Sequence, residues 1–333
     1  MATPKITAGR QWRFDAPIVA CTFDTEGTHC AFALGDGTLR TFAPDDADTK
    51  TIEVHQGATL ALTVHPEGGF LSGGDDGRLV HSRPGEVPRE LLHIKGRWIE
   101  NVAATAETGL IACTAGKTVH LLHGETTSVF THNSTAAGVT FDPKGRRLAV
   151  AHYGGASLWW TKSADQQPKV LEWKGSHIAV TWSPDGRFLV TSMQESALHG
   201  WRIEDGANMR MSGYPSKIKS MAWDRRGRSL FTAGADRVVG WPFTGRGGPM
   251  ERDPVQIGPE RDAMIQIVAA HPERDIVAAG TTDGAVWFEE IGDPGVNFIM
   301  LNAAKIAALA FSPEGTHLAI GDEEGNAAVV PLG

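Results

Sequence analysis

The sequence predicts an all-β fold of eight repeated four-stranded units, an eight-bladed β-propeller. A short turn motif recurs at an almost constant spacing along the 333 residues. The segments that flank each copy are short, rich in β-branched residues and bounded by Gly, Pro and Asp, which is typical of strands. No window keeps a helical period of 3.6 residues, so helices should be nearly absent. The whole chain, 1–333, is expected to form a single domain.

The repeated turn motif consists of an apolar residue, a small polar residue, often Pro, a charged residue and then Gly. It reads FDPKG from Phe141 and WSPDG from Trp182. The eight copies begin at Phe23, Val64, Ala104, Phe141, Trp182, Trp223, Ala270 and Phe311. Their spacing of about 41 residues matches the length of a four-stranded propeller blade. We therefore expect one blade for each copy.

A second turn follows the second strand of several repeats. It reads GDGT from Gly35, DDGR from Asp75, TDGA from Thr282 and EEGN from Glu323. Asp-Gly pairs supply the positive φ angles that a tight hairpin needs. Each repeat thus contains two strands, an Asp-Gly turn, a third strand and a more variable fourth strand.

This pattern resembles the WD-repeat family, in which a His precedes the innermost strand, an Asp lies in the second turn and a Trp closes the third strand. The matching positions are His55 and His132; Asp36, Asp76, Asp236 and Asp283; and Trp160, Trp201, Trp241 and Trp287. The resemblance covers the whole chain, yet no copy holds the full set. The family His is replaced by Trp173, Tyr214, Arg261 and Asn302, and the Asp by Glu195 and Glu324. It therefore implies a partial hydrogen-bonded network. Related propeller repeats that share the SPDG turn remain an alternative for some blades.

The last repeat runs out of chain after its third strand, near Ala327–Leu332. The segment Ile6–Phe14 precedes the first strand of the first repeat. Propellers commonly close by letting one terminal segment complete the blade of the other, which removes two open sheet edges. We expect Ile6–Phe14 to pair with Ala327–Leu332.

Charge and composition narrow the function classes. The chain has 31 Lys and Arg against 39 Asp and Glu, a net charge of −8, which argues against a nucleic-acid partner. No apolar run is long enough for a signal peptide or a membrane helix. Three cysteines without an export signal indicate a reducing compartment. We expect a monomeric cytoplasmic protein without membrane contact.

Chemical motifs are weak. Ala115–Thr118 reads AGKT, but the first Gly of a phosphate-binding loop is missing, so a hairpin turn is expected there. Thirteen histidines leave open a metal-handling protein, although neither HExxH nor paired CxxC occurs. A propeller enzyme that acts on a small molecule at the channel mouth is the other alternative. We predict neither catalysis nor a cofactor.

The predicted function is a rigid scaffold that presents one face to partner proteins. Trp98 stands just before the innermost strand of its repeat, where an aromatic side chain is a candidate anchor. One position further along most repeats, the residue is apolar, whereas Glu100, Lys219 and Gln266 are polar. These residues and His177 form the predicted partner-binding set. The insertion 242–264, rich in Gly, Pro and charge, is expected to be a surface loop.

Overall fold

The computed structural model describes residues 5–6, 8–43, 46, 48–163, 167–301 and 303–332. The regular secondary structure in these ranges consists of β-strands alone, so the prediction of an all-β propeller is confirmed. The chain divides into two compact units. Unit 1 comprises Met1–Val54 with Ile218–Gly333, and unit 2 comprises His55–Lys217. The expectation of a single domain over 1–333 stays a prediction.

The first part of unit 1 contains six strands. They are β1 (Lys5–Ile6), β2 (Arg10–Arg13), β3 (Ile18–Phe23), β4 (Cys30–Leu34), β5 (Thr38–Phe42) and β6 (Lys50–Glu53). Strands β3 to β6 form an antiparallel sheet in chain order. Every residue of β4 is buried, whereas β6 at the edge buries only one of four.

Unit 2 contains fourteen strands. They are β7 (Thr59–Val64), β8 (Phe70–Gly74), β9 (Arg78–Ser82), β10 (Arg89–His93), β11 (Asn101–Ala104), β12 (Ile111–Ala115), β13 (Thr118–His123), β14 (Thr126–Thr131), β15 (Gly138–Phe141), β16 (Arg147–Trp160), β17 (Lys169–Trp182), β18 (Phe188–Met193), β19 (Leu198–Arg202) and β20 (Asn208–Met211). Strands β7–β10 and β11–β14 form two four-stranded sheets. Strands β15–β20 form one six-stranded sheet.

The second part of unit 1 contains the remaining strands. They are β21 (Met221–Trp223), β22 (Ser229–Thr232), β23 (Val238–Pro242), β24 (Val255–Ile257), β25 (Ile265–Ala270), β26 (Ile276–Thr281), β27 (Val286–Glu290), β28 (Asp293–Leu301), β29 (Ile306–Phe311), β30 (His317–Asp322) and β31 (Asn326–Pro331). Strands β21–β24 form one sheet, β25–β28 a second with β1, and β29–β31 a third with β2. The insertion 242–264 is not only a surface loop, because it contains β24.

The described strands form seven sheets, so the prediction of eight separate blades was wrong. The fourth and fifth repeats share the six-stranded sheet because β17, 14 residues long, pairs with β16 of the fourth repeat through its first half and with β18 of the fifth through its second half. Tyr153 pairs with Ser176 where the two repeats meet. Gly154, Gly155 and Gly175 have φ angles of 91°, 140° and 136°. These glycines let the backbone bend there without ending the ladder.

The N-terminal pairing is present, with a different division of the segment. Arg10 to Arg13 in β2 pair with Asn326 to Val329 in β31, as expected. Lys5 and Ile6 instead pair with β28 of the preceding sheet. Thr7 lies outside the described residues. Side-chain packing also holds β2 in place, because the centre of the Trp12 ring lies 4.4 Å from that of Phe42 in the core of unit 1.

The repeated motif has a clear local role. Each of its eight lead residues is the last residue of a strand: Phe23, Val64, Ala104, Phe141, Trp182, Trp223, Ala270 and Phe311. In seven of the eight copies, all but that of Thr105, the side chain of the polar residue that follows accepts a backbone N–H of the turn. Asp142 Oδ1 accepts backbone N–H bonds from Arg146 and Arg147 at 2.7 and 3.0 Å. His65 replaces the carboxylate in its own repeat, where Nδ1 accepts the N–H of Glu67 at 3.0 Å. Turn capping therefore explains why this position is polar.

The Asp-Gly turns take the expected conformation. Gly37, Gly77, Gly284 and Gly325 all have positive φ. At Gly77 a Cβ would also lie only 2.3 Å from the carbonyl oxygen of Ile94, so the close approach of the next loop requires glycine as well.

Candidate interaction surface

A hydrogen-bonded network in the second repeat joins His55, Ser72 and Asp76. The fully buried His55 side chain places Nδ1 3.0 Å from Asp76 Oδ1 and Nε2 2.9 Å from Ser72 Oγ. Because a carboxylate only accepts, Nδ1 donates to Asp76 and Nε2 accepts the Ser72 hydroxyl. Asp76 also accepts the N–H of Gln56 at 3.0 Å and of Arg78 at 3.1 Å. The network therefore fixes the loop before β7 to the β8–β9 turn.

The hydrogen bonds link serine, histidine and aspartate in the order of a catalytic triad, so we asked whether the serine hydroxyl can reach a substrate. Ser72 is fully buried within β8, and the imidazole that it contacts is buried as well. Burial lowers the pKa of His55 although Asp76 acts in the opposite direction. Burial would raise the pKa of Asp76, but the N–H groups of Gln56 and Arg78 and the contact with His55 lower it. The buried imidazole links the partly buried Asp76 carboxylate to a buried serine that cannot meet a substrate, so the network holds the fold.

The other turn aspartates are less connected. Asp36 Oδ1 accepts only from its own turn, the N–H and hydroxyl of Thr38 at 3.0 and 2.7 Å. Asp283 pairs with Arg261, which occupies the position of the family His. Asp236 is exposed. The network is thus partial, as the resemblance implied.

The tryptophans of the third strands separate into two groups. Trp201, Trp241 and Trp287 are buried, whereas Trp160 is 52% exposed. Its neighbour Trp159 packs inward, with its ring 4.3 Å from that of Phe130. The closing position of that repeat therefore belongs to Trp159, since only one of two neighbours on a strand faces the core. The other predicted residue of this repeat, His132, lies edge-on to Trp159 at 5.8 Å.

His177 does not lie on a surface, and its inclusion in the partner-binding set was wrong. Its side chain is fully buried, with Nδ1 2.7 Å from Thr191 Oγ1 and Nε2 2.9 Å from the carbonyl oxygen of Trp173. Trp173 occupies the family His position and stacks on buried His199 at 3.9 Å. His177 therefore supplies the hydrogen bond to β18 that the usual His would make.

One buried carboxylate escaped the sequence analysis. Asp322 accepts the N–H groups of Glu324 and Asn326 through Oδ1 and that of Ala304 through Oδ2, at 2.8 to 3.0 Å. It performs in the last repeat what Asp76 does in the second. The sequence signals this role only by placing Asp322 two residues before Glu324, because the repeat pattern expects the acidic residue at position 324, within the second turn.

Trp98 lies in the loop between β10 and β11 of unit 2, and its side chain is 59% exposed. Backbone bonds hold the loop at both ends. The N–H of Ile94 donates to the carbonyl of Gly77 at 2.8 Å, and that of Ile99 donates to Gly74 at 3.0 Å. An exposed indole on a fixed loop can bind a partner without first being ordered.

Exposed charged residues flank this tryptophan in the chain. Lys95, Arg97 and Glu100 are exposed in the same loop. A guanidinium nitrogen of Arg97 lies 3.8 Å from where a Cβ would stand on Gly116, so it covers the β12–β13 turn that carries exposed Lys117. That turn is the AGKT segment, a hairpin as expected. We name these residues, Lys95, Arg97, Trp98, Glu100 and Lys117, the Trp98 patch.

The other two predicted residues belong to unit 1. Lys219 is exposed just before β21, and Gln266 is half-buried in β25. Gln266 stands at a bulge, because the pairing with β26 shifts between Ile265 and Ile267. Bulges commonly redirect a side chain. Lys219 and Gln266 thus belong to neighbouring first strands of unit 1, Lys219 just before β21 and Gln266 within β25, and neither is part of the Trp98 patch.

Two grooves open at the other end of the strands of unit 2. One, of about 620 Å³, is lined by Thr108, Leu110, Leu121, His123, Thr126, Ser128, Thr161 and Lys162. The second, of about 440 Å³, includes His65, Glu67 and Arg89. Among the described residues no three His, Cys, Asp or Glu side chains converge to hold a metal ion. The described part of the chain likewise holds no apolar helix that could span a membrane.

Comparison with known proteins finds curated relatives that resemble parts of this chain at low sequence identity. No family model matches it. It is 27% identical over 33% of its length to a rice chromatin assembly factor 1 subunit FAS2 homolog, 25% over 40% to the fission yeast meiotic recombination protein rec14, and 26% over 46% to the Caenorhabditis elegans transcription initiation factor TFIID subunit 5. These matches span 24%, 47% and 23% of the three relatives, so the chain covers less than half of each.

The fold also matches a solved structure, that of the computationally designed Ika8 protein. The TM-score is 0.76 over 96% of this chain and 98% of that chain, at 17% identity, which shows the fold alone. The expected cytoplasmic location is contradicted by the curated relatives. They are proteins of chromatin assembly, meiotic recombination and transcription initiation, which are nuclear processes.

Proposed function

Because the chain is a β-propeller of the WD-repeat type, we propose that it is a non-catalytic adaptor that binds a partner protein through the Trp98 patch. The observation that carries the proposal is Trp98 itself. This indole leaves 59% of its surface in water, although the loop around it is held by backbone hydrogen bonds. Aromatic anchors of this kind dominate the binding energy of protein interfaces.

The relatives support a binding role. Two of them are named as subunits, one of chromatin assembly factor 1 and one of TFIID. A subunit makes stable contacts with other proteins. We therefore propose that this chain recognises another protein, with the repeats as a stiff support and the loops as the source of specificity.

The absence of catalysis is part of the proposal. The His55, Ser72 and Asp76 network has the donors and acceptors of a triad, but its serine is buried in a strand. The net charge of −8 favours a protein partner over nucleic acid, since phosphate contacts need clustered cations. We propose that the adaptor is monomeric and that Lys219 and Gln266 contribute a second, separate contact.

The test is capture of partners from an extract of the cells that produce the protein, followed by mass spectrometry. Three immobilised forms are compared: the unaltered protein, Trp98→Ala and Trp160→Ala. Trp160 is a matched control because it is another exposed tryptophan of unit 2 that lies outside the Trp98 patch. Urea denaturation of each form verifies that all three are folded.

We expect a stoichiometric partner that the unaltered protein and Trp160→Ala retain and that Trp98→Ala loses. Truncation of an interface anchor weakens binding by about tenfold or more. The same partner on all three forms would remove the Trp98 patch from the proposal. Turnover of a small molecule by the purified protein would contradict the non-catalytic assignment.

A further inference from the structure

We infer that the Trp98 patch recognises an acidic segment of its partner, one with carboxylates beside an apolar side chain. This inference rests on the proposed function and adds the chemistry of the partner. It follows from the sign of the exposed charges around Trp98, from the position of Arg97 and from the composition of the rest of the chain.

The patch is cationic on an acidic protein. Lys95 and Arg97 stand in the loop of Trp98, and Arg97 reaches the turn that carries Lys117, so the patch has three positive charges against one negative charge from Glu100. Within the part of the chain that the structure describes, none of these four side chains makes an ion pair. Elsewhere arginines commonly neutralise neighbouring carboxylates, as Arg147 does with Asp142 and Arg202 with Asp205. Cations that remain unpaired attract a partner of the opposite charge.

The cations are held near one another by the backbone. The N–H of Arg97 donates to the carbonyl of Ile94 at 3.1 Å, which closes a turn with Lys95 at its corner. The carbonyl of Lys117 accepts the N–H of His132 at 2.9 Å, so the β12–β13 turn is fixed from its other side. Because Arg97 extends over Gly116, its guanidinium lies between the two turns. The Arg97 side chain thus links the loop of Trp98 to the turn of Lys117, and the cations of the patch come from two loops.

Trp98 sets the second requirement. Its exposed ring offers a large apolar face, which is desolvated only when an apolar group of the partner covers it. A strictly charged ligand would leave that surface in water. The fitting ligand is therefore an acidic protein segment that also carries an apolar side chain.

Nucleic acid fits less well, although cations and an aromatic ring can also bind a single strand. The Trp98 patch contains only three cations, and its Glu100 would lie against the phosphates. Asp75 lies in the neighbouring β8–β9 turn, where its carboxylate is directed toward Gly57. A protein segment can place its acidic residues selectively, whereas a nucleic-acid backbone carries a charge at every step.

The test measures binding of fluorescein-labelled peptides by anisotropy at low and at physiological salt. The acidic probe repeats Asp-Glu-Leu, the neutral probe Asn-Gln-Leu and the basic probe Lys-Arg-Leu, and an oligothymidine of similar length is the fourth. The forms compared are the unaltered protein, the double variant Arg97→Glu/Lys117→Glu, Glu100→Gln and the control Lys144→Glu. Lys144 is an exposed cation of unit 2 in the β15–β16 turn, which packs near Thr108 at the opposite end of β11.

We expect the acidic probe to bind more tightly than the neutral one, and increasingly so as salt is lowered. The double reversal should weaken it about tenfold, Glu100→Gln should strengthen it about twofold, and Lys144→Glu should leave it unchanged. Equal binding of acidic and neutral probes, a preference for the basic probe or for oligothymidine, or no effect of the double reversal would overturn the inference. If the acidic probe fails while Trp98-dependent capture of a partner succeeds, the inference falls and the proposed function stands.

Discussion

Replacing Asp76 by alanine tests whether the network of the second repeat stabilises the fold. The change removes the acceptor of the buried His55 Nδ1–H and of the N–H groups of Gln56 and Arg78. A buried donor left without a partner costs about 1–3 kcal/mol, and each lost bond to a charged acceptor adds to this. The two backbone groups lie nearer to solvent and can bind water. We therefore expect the free energy of unfolding to fall by about 2–4 kcal/mol.

Asp36→Ala is the matched control, since it alters the equivalent turn of the first repeat. Asp36 is exposed and bonds only Thr38, which water can replace. We expect a loss below about 1 kcal/mol. Urea denaturation followed by tryptophan fluorescence gives both values, with the denaturant slope compared between variants. If Asp76→Ala destabilises the protein no more than Asp36→Ala, the network is not a source of stability and the reasoning is refuted.

Three further predictions concern the terminal strand, the buried histidines and the two kinds of tryptophan. Deletion of residues 1–15 removes β2 and buried Phe14 and exposes the core against which they pack, so stability should fall by more than about 3 kcal/mol; unchanged thermal melting would disprove the pairing as a stabilising contact. Burial lowers the pKa of His199 to about 3, so the folded state resists protonation, and stability should decline by up to about 1.4 kcal/mol per pH unit as pH falls from about 6.5 toward 3. In urea titrations at neutral and mildly acidic pH, His199→Phe should show a shallower decline, and an unaltered decline would contradict the assignment. Trp201→Ala should cost about 3–5 kcal/mol and Trp98→Ala less than about 0.5 kcal/mol, and a large thermal shift for Trp98→Ala would show that the ring packs onto the fold.

The strands and turns were predictable because their chemistry is local. The apolar lead residue, the capping group after it and the glycine with positive φ act within a few residues, as at Asp142 and Gly145. Every lead residue accordingly ends a strand. The N-terminal pairing was also accessible, since a repeat that lacks its fourth strand needs a partner.

The sheet count was not predictable, because whether a strand ends or bends depends on neighbours distant in sequence. Gly154 and Gly155 look like an ordinary turn, and only the pairing of Tyr153 with Ser176 shows that the ladder continues. The prediction that His177 belongs to the partner-binding set was wrong for a related reason. Its burial depends on Thr191 and on the replacement of the usual His by Trp173, which position within the repeat does not reveal.

The pairing of β2 with β31 also affects how the protein is made. Arg13 donates a side-chain hydrogen bond to Asn326, 313 residues later in the chain. On the ribosome β2 emerges long before its partner strand and must wait while the 313 residues that separate Arg13 from Asn326 are translated. Contacts this distant in sequence form late and slowly, because the entropy of closing the intervening chain opposes them. A chain whose synthesis stops early keeps an unpaired strand edge, which is a ready signal for chaperones and proteases.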